Sequence, residues 1–162
     1  MVESRFTHVS VQTDDLAAAV AFYESVFGLE RIPTPDFEEP AQWFRCGELQ
    51  LHLVENDAEA PTFNHFALHV SDFEAVYGAI QAHADAEFMV LPHVEAGFVD
   101  GEPPVYVLPS GAAQLYVRDP DGNVIEVNAP DAGALDSSVV PNVIDRPDIA
   151  PPAGEPAPVY LD

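Results

Sequence analysis

The chain has 162 residues, 48% of them hydrophobic, which is enough to bury the core of one ordinary domain or of two small fused domains. Its formal net charge is -23, because 28 Asp and Glu residues oppose only five basic residues, all of them arginine. Binding to nucleic acid or to an anionic membrane surface needs a basic patch that this sequence cannot assemble, so the composition argues against both functions.

Strong acidity without any lysine is typical of a protein adapted to high salt, in which dissolved ions screen the self-repulsion of the negative charges. We therefore expect a protein from a halophile-like proteome. The single Cys46 cannot form an intramolecular disulfide, the N-terminus shows no basic segment followed by an apolar run, and no stretch of 18 apolar residues is present. The expected location is the cytoplasm.

Two segments of the chain repeat each other without a gap. Residues 6–16 align with residues 63–73, and the alignment places His8 on His65 and Asp15 on Asp72. Each copy starts with alternating apolar and polar residues, which predicts a half-buried strand, and continues with apolar residues at helical spacing. The repeat therefore predicts two β-to-α units.

In chain order, a strand over 6–12 precedes a helix that begins near Asp14 and ends at Gly28, where a left-handed backbone closes a helix at little cost. In the second unit, a strand over 64–70 precedes a helix whose start carries a capping-box pattern at Ser71 and Glu74. A strong turn signal stands at 119–122. Further strands are predicted over 43–46, 49–55, 86–91, 105–108, 114–117 and 123–128.

From about Ala129 the composition changes to Pro, Asp, Gly and Ala, which predicts a tail without regular structure. This tail is either disordered or extended against a partner subunit, and the sequence does not choose between the two. The predicted organisation is a first βαβββ module over 1–60, a second βαβββ module over 61–129, and a Pro-rich acidic tail over 130–162. The predicted fold class is α+β.

Successive side chains of a strand point to opposite faces, so each predicted strand has a helix-facing side and an opposite side. Four metal-capable residues fall on the side away from the helices. Three neutral imidazoles and one carboxylate suit a first-row divalent ion, with open positions for water or substrate oxygens. The pattern therefore predicts one metal site, whose ligands are His8, His52, His65 and Glu126.

Other polar residues are candidates for substrate binding. His69 faces the same way as His65 but lies roughly 13 Å along the strand, too far to share its metal. Gln50 lies two residues from His52 on the same face and is the alternative ligand there. Glu55 falls on the opposite face and is interpreted as a solvated charge at a strand end. Residues that can line the pocket are Tyr116, Arg118, Trp43 and Phe44, although Arg118 can instead form a local ion pair with the acidic turn that follows it.

Short motifs in both modules carry a family resemblance over about residues 5–129. They are Thr-His-Val-Ser at 7–10, Asp-Leu at 15–16, Ala-Phe-Tyr at 21–23, Gly-Leu at 28–29 and, most specific, Arg-Asp-Pro-Asp-Gly-Asn-Val-Ile-Glu at 118–126. With these motifs the chain resembles the vicinal oxygen chelate superfamily, which includes glyoxalase I, methylmalonyl-CoA epimerase, extradiol dioxygenases, and fosfomycin and bleomycin resistance proteins. The resemblance implies an open, cup-shaped mixed sheet of eight strands built from two βαβββ modules. It implies the same four ligands that strand parity selects.

The resemblance also implies an electrophilic role for one divalent ion, which chelates adjacent substrate oxygens and stabilises the negative charge that develops on them. The leading hypothesis is glyoxalase I-like lyase or isomerase chemistry on a small oxygen-chelating substrate, with Glu126 as the base. Fe, Mn, Ni, Co and Zn are not distinguished. A homodimer is expected, without nucleic-acid or membrane partners.

Two alternatives remain open at the level of sequence. Glyoxalase I enzymes commonly have Glu, and the epimerases Gln, where this chain has His52, which weakens the transfer of any one reaction. His8, His65 and Glu126 by themselves form the two-His, one-carboxylate set of non-haem iron oxygenases, so an extradiol-type dioxygenase is the first alternative. A metal-free small-molecule binding or resistance protein is the second.

Overall fold

The computed structural model describes residues 6–36, 38–57, 60, 64–91 and 99–146. These residues fall into two compact units, one within Met1–Phe66 and Asp119–Val124, the other within Ala67–Arg118 and Ile125–Asp162. Strands predominate, and the two α-helices of the described residues follow the first strand of each half. The predicted α+β class is confirmed.

The first half of the chain forms a four-stranded sheet with one helix. The sheet order is β1-β4-β3-β2; β1 runs parallel to β4, and the other pairs are antiparallel. Because β2 has only three residues, it is too short to show a period, and the sequence did not predict it. The elements are β1 (His8–Thr13), α1 (Leu16–Phe27), β2 (Glu30–Ile32), β3 (Ala41–Cys46) and β4 (Leu49–Glu55).

Helix α1 has the ends that the sequence predicted. The Asp15 carboxylate accepts a hydrogen bond from Ala18 N at 2.9 Å, which satisfies one unpaired donor of the first turn and contributes about 1 kcal/mol. Gly28 closes the helix at φ 63, a left-handed conformation that side chains disfavour. The face that α1 buries carries Ala19, Val20, Phe22, Tyr23 and Val26.

The second half forms a sheet of order β10-β7-β8-β9-β5, with β6 also paired to β8. Strand β6 pairs with the Val117–Arg118 end of β8, and β7 pairs with the Ala113–Gln114 end. These two short strands follow one another along the same side of β8, and β10 extends the sheet beyond β7. The elements are β5 (His65–His69), α2 (Phe73–Ala82), β6 (Glu87–Phe88), β7 (Val105–Val107), β8 (Ala113–Arg118), β9 (Val124–Ala129) and β10 (Val143–Asp145).

The segment after Ala129 has more structure than its composition predicted. A short 3-10 helix spans Ala132–Ala134, and β10 pairs in parallel with β7. Val140 is fully buried, and the Asn142 amide donates to the Glu102 carbonyl oxygen at 2.9 Å. The prediction of a segment without regular structure is therefore wrong for this part, because non-local contacts anchor a stretch whose composition alone does not favour order. Residues 147–162 lie outside the described residues.

The core of each half lies on the helix-facing side of its sheet. Apolar side chains at odd positions of β8 and β9 contribute to it, and Leu115, Val117, Ile125 and Val127 are fully buried. Within the described part of the chain, neither α1 nor α2 has the length and apolar content that a membrane crossing requires.

Candidate functional site

In the first unit, the sheet face opposite α1 carries His8 and His52. The parallel register sets His8 beside Gln50 and Ser10 beside His52, so the two histidines are diagonal neighbours. Their rings stack at a centroid distance of 4.3 Å with 11° between the planes. His8 is exposed, whereas His52 is only 9% exposed. The structure thus brings two of the predicted ligands together.

Trp43 covers the second face of the His52 ring. It lies directly opposite His52 in the antiparallel pair of β3 and β4, and the ring centroids are 4.0 Å apart with 3° between the planes. Phe44, its neighbour on β3, points to the other face, is fully buried and packs 6.4 Å from the Tyr23 ring. The expectation that Phe44 lines the site is therefore wrong, because adjacent strand residues cannot share a face.

Polar contacts fix the edges of both imidazoles. His52 Nε2 lies 2.8 Å from Gln50 Oε1, and since a carbonyl oxygen only accepts, this contact corresponds to a ring N–H that donates. Burial, and secondarily the neighbouring His8, lowers the pKa of His52. His8 Nδ1 lies 3.0 Å from the Thr7 hydroxyl oxygen. The lowered pKa favours the neutral form of His52, which is the form that can coordinate a metal.

Glu55 lies on the α1 side of β4, as parity predicted. Its carboxylate accepts a hydrogen bond from Leu16 N at 3.0 Å, at the start of α1. The interpretation as a merely solvated charge is wrong: the side chain is half-buried and adds a negative charge at a helix N-terminus, where the helix dipole favours it. This position leaves Glu55 away from the histidine face.

In the second unit, Glu126 is 7% exposed and is surrounded by neutral donors. Its carboxylate accepts hydrogen bonds, each of 2.7 Å, from Gln114 Nε2, Tyr116 Oη and Asn128 Nδ2. All four side chains occupy even positions of β8 and β9, the face opposite the core. Tyr116 was among the predicted residues; Gln114 and Asn128 were missed as contacts of Glu126, although the same parity would have found them.

The surroundings of Glu126 favour a neutral, donating tyrosine. Burial raises the pKa of Tyr116, and the hydrogen bond to Glu126 raises it further. The Asn128 Oδ1 atom is buried without a hydrogen-bond partner among the described residues. A buried acceptor without a donor is uncommon, and such atoms commonly mark a place where water or a ligand completes the hydrogen bonding.

Two arginines belong to the same unit. Arg118 stands on β8 at the parity of Tyr116 and pairs in register with Glu87 of β6. The Arg146 guanidinium lies 5.6 Å from the centre of the Tyr106 ring, which in turn is 6.4 Å from the Tyr116 ring. Arg146 follows directly after β10, a strand that the sequence did not predict, so no local signal could have placed it here.

The remaining two predicted residues line different cavities. His65 is exposed and lines a cavity of about 460 Å³ in the first unit, together with Ser10 and Gln12 of β1. His69 lines a cavity of about 430 Å³ in the second unit, where β5 ends and α2 begins. The expectation that His69 shares no metal with His65 stays a prediction.

Across the described residues, no group of three or more His, Cys, Asp or Glu side chains is arranged as a metal site. The described contacts are local pairs: His8 with His52, and Glu126 with its neutral donors. A metal-binding role would involve these two groups of side chains.

Comparison with known proteins identifies one sequence family. Residues 5–127 match the sequence model of the family described as "Glyoxalase/Bleomycin resistance protein/Dioxygenase superfamily". An uncharacterized Bacillus subtilis protein, YwbC, is 30% identical over 132 residues, which cover 75% of this chain and 94% of YwbC.

Solved structures give the same fold. A mutant of the fosfomycin resistance protein FosX from Listeria monocytogenes, complexed with Mn(II) and 1S,2S-dihydroxypropylphosphonic acid, aligns with a TM-score of 0.60 and 18% identity over 82% of this chain and 95% of that one. Lactoylglutathione lyase from Agrobacterium tumefaciens aligns with a TM-score of 0.55 and 24% identity over 82% of this chain and 98% of that one. At identities of 18% and 24%, this likeness concerns the fold alone.

Proposed function

Because the chain belongs to the Glyoxalase/Bleomycin resistance protein/Dioxygenase superfamily, we propose that it is an enzyme that depends on one divalent metal ion. The reaction class that we propose is glyoxalase I-like lyase or isomerase chemistry on a small oxygen-chelating substrate. The proposed ligands are three imidazoles and one carboxylate: His8, His52, His65 and Glu126.

The observation that carries this proposal is the buried Glu126 carboxylate with its three neutral donors. Burying a charged carboxylate is costly unless hydrogen bonds, an opposite charge or a metal ion compensate it, and carboxylates that bind metals are commonly hydrogen-bonded in this way. The lowered pKa of His52 supports the same conclusion, because a neutral imidazole is the coordinating form. The donor chemistry therefore fits a first-row divalent ion.

A bound divalent ion would supply Lewis acidity, which stabilises negative charge on chelated substrate oxygens. The side chains of the protein would do the rest. Glu126 would accept the substrate proton on its carboxylate, and Tyr116, whose raised pKa keeps it neutral, would hold that carboxylate in place by donating its hydroxyl proton. The orphan Asn128 Oδ1 would accept a hydrogen bond from a substrate hydroxyl.

Substrate contacts form a second part of the proposal. Arg118 stands at the parity of Tyr116 and is proposed to meet an anionic group of the substrate. Gln50 contacts His52 and is proposed to act through that ring. His69 stays a prediction as a substrate residue, since it lines a cavity at the start of α2. The FosX structure with Mn(II) and a dihydroxylated phosphonic acid supports this kind of ligand for the fold.

Metal analysis of the purified protein tests the proposal. After incubation with Mn(II) and dialysis, the wild-type chain should retain about one ion, and the double variant His8→Ala, Glu126→Ala should retain none. His83→Ala is the matched control, because His83 caps α2 and is no predicted ligand. A wild-type chain without stoichiometric metal, or a double variant that keeps it, would overturn the enzyme hypothesis and favour a metal-free binding protein.

One observation favours an alternative reaction. His52 is only 9% exposed and its ring is enclosed between Trp43 and His8. A chain that coordinates only through His8, His65 and Glu126 would have the ligand set of an extradiol-type iron dioxygenase. Activity assays separate the two. Isomerisation of a hemithioacetal supports the lyase proposal, whereas oxygen consumption with a catechol by the Fe(II)-loaded protein supports the dioxygenase.

A homodimer is the proposed assembly. Light scattering coupled to gel filtration at molar salt should give twice the 17.5 kDa mass of the chain. A monomer mass under these conditions would contradict the homodimer and leave the metal proposal intact.

A further inference from the structure

The environment of His52 differs from that of the other predicted ligands, because three side chains constrain it. From this environment we infer that Trp43 and Gln50 are positioning residues, which hold His52 so that it coordinates through Nδ1. We further infer that His8 is the movable member of the pair. This inference rests on the proposed metal-binding function and concerns how one ligand is prepared for the ion.

Both faces of the His52 ring are covered. Trp43 lies on one face at 4.0 Å and His8 on the other at 4.3 Å, and both contacts are close to parallel. Trp43 is half-buried and lies directly opposite His52 on the neighbouring strand, so its indole is tied to the sheet. A ligand can therefore approach His52 only at the edge of the ring.

At that edge, one nitrogen is already in use. The contact between Nε2 and Gln50 Oε1 is the hydrogen bond that His52 makes among the described residues. With the proton on Nε2, the lone pair is on Nδ1. Histidines that bind metals commonly donate their other N–H to an oxygen acceptor, which fixes the tautomer and makes the ligand more basic. Gln50 stands where such an acceptor is needed.

His8 has the opposite arrangement and more freedom. The Thr7 hydroxyl lies at its Nδ1, which leaves Nε2 for a metal, and the ring is exposed. Two nitrogens that bind one ion at about 2.1 Å in adjacent positions are roughly 3 Å apart, and their rings diverge from the ion. Parallel stacked rings do not aim their lone pairs at one point. His8 must therefore leave the stack on metal binding, while the stack of Trp43 on His52 persists.

Nitrogen NMR of the wild-type protein tests this inference without a substitution. With ¹⁵N-labelled histidine and bound Zn(II), His52 should show a metal-bound Nδ1 and a protonated Nε2, and His8 should show a metal-bound Nε2. Cross-peaks between the Trp43 and His52 rings should persist, and those between His8 and His52 should weaken. Coordination of His52 through Nε2, or a His8 stack unchanged by Zn(II), would overturn the inference.

Two pairs of variants give a second readout, the affinity for Zn(II). Gln50→Leu and Trp43→Leu should each lower the affinity by about 10- to 100-fold, the usual effect of losing a group that orients a ligand. Trp43→Phe keeps an aromatic ring and should bind within a few fold of the wild type. Gln50→Glu keeps an acceptor and adds a negative charge beside the site, so it should bind at least as tightly as the wild type. Circular dichroism of the metal-free variants verifies that they are folded.

The outcomes separate this inference from the proposed function. If the wild-type protein binds no Zn(II), the proposed function fails and the inference fails with it. If the wild type binds Zn(II) and all four variants bind it equally well, the positioning role is wrong while the metal site stands.

Discussion

Glu126 is the buried carboxylate at the centre of the hydrogen bonds of β8 and β9, and strand parity selected it from the sequence. The same period of two would have selected Gln114 and Asn128, because they share its face on β8 and β9. The sequence predicted both Trp43 and Phe44 as pocket-lining residues, and the prediction is wrong for Phe44. The register between β3 and β4 decides which of the two meets His52. Register is a property of two strands, and a single strand does not contain it.

Removing the hydroxyl of Tyr116 should be costly. Tyr116→Phe leaves the buried Glu126 carboxylate with one donor fewer, and we expect a loss of about 1–3 kcal/mol in the free energy of unfolding. Tyr77→Phe is the matched control, since Tyr77 donates to Glu102, a half-exposed carboxylate that water can solvate instead. Urea denaturation at constant molar salt measures both. Equal losses in the two variants would contradict the special burial of Glu126.

At the scale of secondary structure, elements with a periodic pattern of their own were predictable, whereas the short strands β2 and β10 were not. Helix α1 and strand β4 carry enough periodic residues to be recognised, and their observed bounds are close to the predicted ones. Strands β2 and β10 have three residues each, and β10 depends on a partner, β7, far away in the sequence. Such strands exist because of tertiary pairing, which local patterns do not encode.

Glu55 stabilises the start of helix α1 through its hydrogen bond with Leu16 N, and this contact gives a prediction. Glu55→Gln keeps an acceptor for Leu16 N but removes a charge from the helix N-terminus, so we expect a loss of stability of about 0.3–1 kcal/mol. The catalytic rate of the Glu55→Gln variant should match that of the wild type, because Glu55 lies on the opposite face of β4 from His52. A large fall in the rate of the folded variant would contradict the assignment of Glu126 as the base.

The turn that joins β8 to β9 gives a pH prediction. Burial raises the pKa of Asp119, against the hydrogen bonds that it accepts from Asn123 and Tyr23. The pKa of Asp119 is therefore higher in the folded chain than in the unfolded chain. At a pH between these two pKa values the folded chain binds more protons, so the contribution of Asp119 to stability grows as the pH falls. Between pH 7 and pH 4, the wild type should gain stability relative to Asp119→Asn, as measured by urea denaturation at constant salt. Parallel pH profiles would show that Asp119 has an ordinary pKa.

The charge of the whole molecule predicts how it responds to salt. With a formal net charge of -23, the folded chain repels itself, and the screening length falls from about 10 Å at 0.1 M salt to about 3 Å at 1 M. The melting temperature should therefore rise steeply with KCl toward 1 M, whereas sucrose of equal osmolality should give a much smaller rise. Full stability in dilute buffer would contradict the interpretation as a salt-adapted protein.

At the same scale, the family could be recognised from the sequence because its most specific motif, residues 118–126, combines a turn with the start of the strand that carries Glu126. The position of Arg146 could not be predicted from the sequence, because this position depends on the pairing of β10 with β7 and on packing against Tyr106. The reaction also stays a proposal, since His52 departs from the residue that either glyoxalase I or the epimerases commonly have there.

We propose that four side chains bind one divalent ion. Crystals grown with Mn(II) and measured at the manganese absorption edge test it most directly. We predict one strong anomalous peak per chain, which marks an ion coordinated by His8, His52, His65 and Glu126, whether these come from one chain or from two copies. A map without a peak at these residues, or with the ion bound elsewhere, would contradict it.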